Sequence, residues 1–147
     1  MNKQRTTVDF GIDLGTTNSA ISKMENGTPE SIRTNTLKDT MPSCVYINRK
    51  GAIQVGDAAF NALKDEKLNT MKNWDAGNDN SFIEFKRTMG SDASYESANA
   101  KRSFTSIELS AEVLKTLKSF EKDENVNTVV ITVPAAFKNN QIDHTRQ

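Results

Sequence analysis

Cysteine is almost absent from this chain. Cys44 stands alone, so no internal disulfide and no cysteine-rich metal cluster can form, a usage that suits a reducing cytoplasm. It lies in the apolar run SCVYIN and reads as a small core residue. Histidine is as scarce: His144 has no cysteine nearby and reads as a helix-surface residue. Neither charge prevails, with 19 basic and 19 acidic residues, which argues against a nucleic-acid binder. No apolar run approaches the ~20 residues of a membrane span. Met1 to Thr7 are polar and lack the apolar segment of a secretory signal. The Walker A pattern GxxxxGK[ST] does not occur either. At 147 residues the chain can still bury a real core.

What is present is concentrated first in Val8 to Ser19, VDFGIDLGTTNS. Val8, Phe10, Ile12 and Leu14 alternate with Asp9, Gly11, Asp13 and Gly15, a period of two that predicts a strand with one apolar face. Gly11 and Gly15 flank Asp13 on the other face and leave the backbone there open to close approach. Thr16, Thr17, Asn18 and Ser19 add three hydroxyls, an amide and turn N–H groups. Such a turn suits a phosphate, and Asp13 beside it could hold a hydrated Mg²⁺. The same residues also suit a solvated strand and an ordinary hairpin turn.

Ala20 to Met24 predicts the returning strand, Glu25-Asn26-Gly27 a turn, and Thr28 to Thr34 a third strand with Pro29 near its start. Leu37 to Met41 is a polar connector. Ser43 to Asn48 and Ala52 to Val55 read as a strand pair, and Ala58 to Lys64 as a helix. Asn69 to Asn80 is polar and irregular and holds Trp74, for which partial burial is expected. In SFIEFKRTMG, Ser81 with Glu84 is a capping-box pattern and Gly90 a stop signal, which predicts a short helix carrying Lys86 and Arg87. By spacing alone those two are a solvated basic pair. Ser91 to Arg102 reads as a surface loop or weak strand pair.

Thr105 with Glu108 is a second capping box. Leu109, Val113, Leu117 and Phe120 then predict an amphipathic helix to about Lys122. The β-branched run Val129 to Val133 predicts a strand buried on both faces, in the sheet of the first hairpin. After Pro134 a last helix starts at Asn139 or Asn140 and meets Gln147 with no stop signal, so the chain reads as truncated.

DLGTTNS resembles the first phosphate loop of the DnaK-type chaperones, the seventy-kilodalton heat-shock family. Its D-x-G-T/S core is shared with the wider superfamily of actin, sugar kinases and chaperones. F-x-x-F-K-R-x-x-G resembles the family segment that carries a catalytic lysine, here Lys86. Val129 to Phe137 resembles the strand that ends in V-P-A-Y-F, with Ala136 in the place of tyrosine. Ile142 stands where the family has an arginine paired with its proline switch; Pro134 is kept, and Arg146 keeps a basic residue at the next relay position. The resemblance runs from Val8 to Gln147 and is weakest over Leu68 to Asn80 and Ser91 to Phe104.

The resemblance implies an α/β fold: the first lobe of an actin-like (ribonuclease H-like) ATPase domain, a mixed sheet with flanking helices and an inserted subdomain. Residues 1–36 and 105–147 would form the core part and 37–104 the insertion. It implies ATP and Mg as ligands. Asp13 would orient the hydrated Mg²⁺; Gly15, Thr16, Thr17 and Asn18 would bind β- and γ-phosphates; Lys86 would stabilise the transferring phosphoryl group. The implied function is a cytoplasmic, stress-response chaperone that spends ATP to control binding of unfolded polypeptides. Its partners would be client polypeptides, a J-domain co-chaperone and a nucleotide-exchange factor. The second phosphate loop, adenosine contacts, a further catalytic carboxylate and the peptide-binding domain would lie beyond Gln147, so this segment alone is expected to be inactive. Two other readings are a lobe of another actin-like-fold ATPase or sugar kinase, and a nucleotide-binding module that has lost hydrolysis.

Overall fold

The computed structural model describes residues 6–73 and 79–147. In chain order these form β1 (Phe10–Asp13), β2 (Asn18–Glu25), β3 (Thr28–Ser31), β4 (Met41–Pro42), β5 (Cys44–Ile47), β6 (Ile53–Val55) and α1 (Asp57–Asn73). Then follow β7 (Ser81–Ile83), a 3-10 turn (Phe85–Thr88), β8 (Ser94–Ser97), β9 (Arg102–Thr105), α2 (Ser106–Ser119), β10 (Val130–Thr132) and α3 (Asn139–Arg146). The architecture is mixed α/β. One sheet runs β10-β1-β2-β3, with β4 also paired to β2; a second runs β6-β5-β7; β8 and β9 form a hairpin. The first sheet is mixed, because β1 is antiparallel to β2 and parallel to β10.

The two-residue period of β1 emerges as expected. Phe10, Ile12 and Leu14 are buried, Gly11 and Gly15 half-buried and Asp13 exposed. Asn26 and Gly27 both take positive φ, 50° and 78°, which closes the β2–β3 hairpin. The α2 capping box forms both bonds: the Glu108 N–H donates to Thr105 Oγ1 (3.2 Å) and the Thr105 N–H to Glu108 Oε2 (2.8 Å). Leu109, Val113 and Leu117, one turn apart, are fully buried. They share one core with Phe10, Ile12, Ile21, Val45 and Phe82, so α2 covers strands of both larger sheets.

Four expectations need correction. Ser81-Phe82-Ile83 is not the start of a helix but an edge-to-edge partner of Tyr46, Val45 and Cys44 in β5. Burial of Phe82 in the shared core outweighs the local capping pattern, and Glu84 takes φ 56°, so Ser81 caps nothing. Helix α1 does not stop at Lys64. It continues to Asn73, a stretch without glycine or proline whose Leu68 and Met71 face solvent and so supplied no amphipathic signal. Strand β10 is not buried on both faces: among the described residues it is the outermost strand of its sheet, Val130 is 57% exposed, and Val129 and Ile131 pack inward against the core. His144 is half-buried and hydrogen-bonded rather than free on the helix surface. Trp74 lies outside the described residues.

Cys44 is a core residue as expected. Burial, with a smaller contribution from the Glu66 carboxylate, pushes its thiol up to about 12. Only the thiolate reacts, so at pH 8 an aromatic disulfide reagent should leave native Cys44 untouched and modify it once urea unfolds the chain. Rapid labelling without denaturant would show that this core opens freely.

Candidate functional site

The site is built where β1 runs out. Leu14 is buried and anchors the chain, and the backbone then turns through Gly15, Thr16 and Thr17 into β2. Gly15 is required by space: a Cβ there would lie 1.9 Å from the Asn18 carbonyl oxygen. Gly11 differs, since its Cβ would only touch Ser22 Oγ at 3.4 Å.

A buried pair of serines holds the turn from beneath. Ser43 Oγ donates to the Gly15 carbonyl (2.8 Å), and the Gly15 N–H donates to Ser19 Oγ (3.1 Å). The two hydroxyls lie 2.8 Å apart. Each has one proton, so with Ser43 donating to Gly15, Ser19 must donate to Ser43. The Ser43 N–H also donates to the Thr17 carbonyl (2.8 Å). These bonds consume the inward-facing groups. The Thr16 and Thr17 hydroxyls and the Asn18 amide have no side-chain hydrogen-bond partner among the described residues, and Thr17 and Asn18 are exposed.

Asp13 lies at the same open end, exposed, and accepts from Thr132 Oγ1 at 3.0 Å across the β1–β10 register. Lys86 reaches the same end from the 3-10 turn that follows β7. The side chain is buried, its ammonium donates to the Leu14 carbonyl, and the Phe137 ring centroid lies 5.5 Å from Nζ. Burial holds the lysine below its ordinary value of 10.5, and the Asp13 carboxylate partly offsets this. The solvated basic pair is thus half right: Arg87 is exposed and pairs with Glu84 at 3.5 Å, while Lys86 is part of the site.

Asp13, Gly15, Thr16, Thr17, Asn18 and Lys86 therefore gather at one end of the sheet. Pro134 and Arg146 do not join them directly. Pro134 is exposed; its carbonyl accepts from the Phe137 N–H (3.0 Å), the turn that brings Phe137 toward Lys86. Arg146 is exposed and pairs with Asp143 at 3.5 Å. Sequence reasoning missed Ser43, Phe137 and the helix α3 side chains that hold Gly90. Asn140 Nδ2 donates to the Gly90 carbonyl (2.9 Å), and the Gly90 N–H donates to His144 Nδ1 (3.1 Å). Ser19 belongs to the DLGTTNS motif and its hydroxyl was counted there; the missed partners are too distant in sequence to carry a local signal.

The donor set matches a phosphate: unpartnered hydroxyls and an amide on a turn that only glycine can close, with an ammonium behind it. No group of three or more His, Cys, Asp or Glu side chains forms among the described residues. A cation here would rest on Asp13, water and the phosphate itself, the coordination Mg²⁺ accepts. Also among the described residues, no helix is long and apolar enough to cross a membrane.

The family model for the Hsp70 protein matches residues 9–147. The chaperone protein DnaK of Mycoplasmopsis agalactiae is 34% identical over 142 residues, a match that covers 95% of this chain and 21% of that relative. The chain spans about a fifth of that relative's length.

Proposed function

Because the chain belongs to the Hsp70 family, we propose that it forms the first phosphate-binding wall of an ATP-dependent chaperone. The observation that carries this is the Lys86 ammonium held on the Leu14 carbonyl, one residue before the glycine turn. Gly15, Thr16, Thr17 and Asn18 bind the β- and γ-phosphates through backbone N–H groups and side chains left free by the serine pair. Asp13 holds Mg²⁺ through water, and the cation, when bound, offsets charge on the phosphate oxygens. Lys86 places a positive charge where negative charge develops during phosphoryl transfer and orients the attacking water.

In this reading the lobe is actin-like, with residues 1–36 and 105–147 as its core part and 37–104 as the insertion. Pro134 and Arg146 lie on the segment that reports nucleotide state to the rest of the protein. The whole protein uses ATP to control its hold on unfolded polypeptides in the cytoplasm, with a J-domain partner and an exchange factor.

One wall buries little of a nucleotide, so the segment alone binds weakly, and an amide-resolved method is the suitable test. Adding millimolar MgATP to the ¹⁵N-labelled protein should shift the amides of Asp13 to Ser19, and AMP should not. Shifts confined to other parts of the chain, or equal shifts with AMP, would overturn the reading.

A further inference from the structure

We infer that Asn140 and His144 are positioning residues for Lys86: helix α3 grips the Gly90 peptide groups and thereby sets the turn that carries the lysine. One helical turn separates Asn140 from His144, so both lie on one face of α3. Asn140 donates to the Gly90 carbonyl, and His144 accepts from the Gly90 N–H. Gly90 has φ 82°, and a Cβ there would come within 2.8 Å of Gln141 Cγ and 2.9 Å of Asn140 Nδ2. The helix is thus seated directly on the glycine backbone.

The grip reaches Lys86 through short, stiff connections. The Met89 N–H donates to the Lys86 carbonyl (3.2 Å), which closes the turn from Lys86 to Met89, the residue before Gly90, and Met89 itself is buried. From the other side, the segment leading into α3 lays Phe137 beside the Lys86 ammonium. A shift of α3 therefore acts on both the turn and the aromatic neighbour of the lysine.

The two bonds differ in chemistry. Asn140 donates at any pH. His144 can accept at Nδ1 only while that nitrogen is unprotonated; a proton there would set two donors against each other. The charged groups on the two elements that meet are Asp143 and Arg146 on α3, paired with each other, and Glu84, Lys86, Arg87 and Asp92 on the facing segment.

The catalytic meaning of this inference rests on the phosphate-binding reading; its structural content does not, and it is tested without nucleotide. In the protein at a single neutral pH, NMR compares the Gly90 amide and the Lys86 ε-methylene protons across variants. His144→Phe, which removes the acceptor, and Asn140→Ala, which removes the donor, should each displace both signals, and His144→Gln, which keeps a neutral acceptor, should leave both near their parent positions. A Gly90 amide unmoved by either loss would overturn the grip. Lys86 protons that stay fixed while Gly90 moves would overturn the positioning role. Should His144→Phe fail to fold, Asn140→Ala, at an exposed position, decides both points.

Discussion

Gly15→Ala should destabilise the fold by roughly 2–3 kcal/mol and abolish the MgATP-induced shifts at the turn. The Asn18 carbonyl oxygen would sit 1.9 Å from the new Cβ, and it belongs to backbone at the start of β2. Backbone cannot swing aside as a long side chain can. Moving it also strains the bonds that hold the turn, the Gly15 N–H to Ser19 and Ser43 to the Gly15 carbonyl. Gly11→Ala is the control, because its Cβ makes only an ordinary contact with Ser22 Oγ at 3.4 Å. Its cost should stay within about 0.5 kcal/mol. Urea denaturation of the two variants gives the comparison. Equal stability losses would mean that the turn relaxes, and that Gly15 is no more constrained than any glycine on an open face.

That contrast also shows what a linear reading can and cannot resolve. Gly11 and Gly15 look alike in the alternating pattern of β1, since alternation reports which face a residue takes and not what approaches it. The loop motif, the β1–β2 hairpin, the Asn26-Gly27 turn and the α2 capping box were all legible because each is closed by residues a few positions apart. The short helix carrying Lys86 and Arg87 was legible, as the 3-10 turn Phe85–Thr88, but its start was not. The local signal placed that start at Ser81, and only the pairing of Ser81–Ile83 with β5 overrides it. The outer position of β10 was hidden for the opposite reason: a β-branched run states that a strand is apolar, not how many neighbours it has. The site followed the same rule. Asp13 to Asn18 could be read directly. Ser43, Phe137 and the contact of Lys86 with Leu14 could not, because loop-closing contacts over 28 to 72 residues leave no trace in local spacing. Family resemblance singled out Lys86; only the fold explains why its ammonium lies beside the turn.

Lys86→Met should separate what the lysine does for stability from what it does for chemistry. Methionine keeps an unbranched stem beside Phe137 and removes the ammonium. Consider stability first. Burial holds the folded-state pKa below the ordinary 10.5, so at neutral pH the fold bears the full cost of a buried charge. As pH rises from the lowered folded value toward 10.5, the folded state releases its proton before the unfolded state does. The unfolded state then binds more protons, and the stability contributed by this group rises with pH. The Met variant should lack that alkaline rise, which is read as the difference between two urea-denaturation series over the same pH range. A difference that stays flat up to pH ~10.5 would show that the ammonium is better solvated than its burial indicates. Now consider chemistry. On the proposed reading Lys86 acts where charge develops in the transition state. Its loss from the whole ATPase should then lower the single-turnover hydrolysis rate by about 10²–10³-fold, with a much smaller change in nucleotide affinity. A rate within about threefold of the parent would remove Lys86 from the catalytic role while leaving its structural one intact. Loss of affinity without loss of rate would make it a binding residue only. The two measurements answer separate questions, because the alkaline slope requires no nucleotide and the turnover assay is run at a single pH.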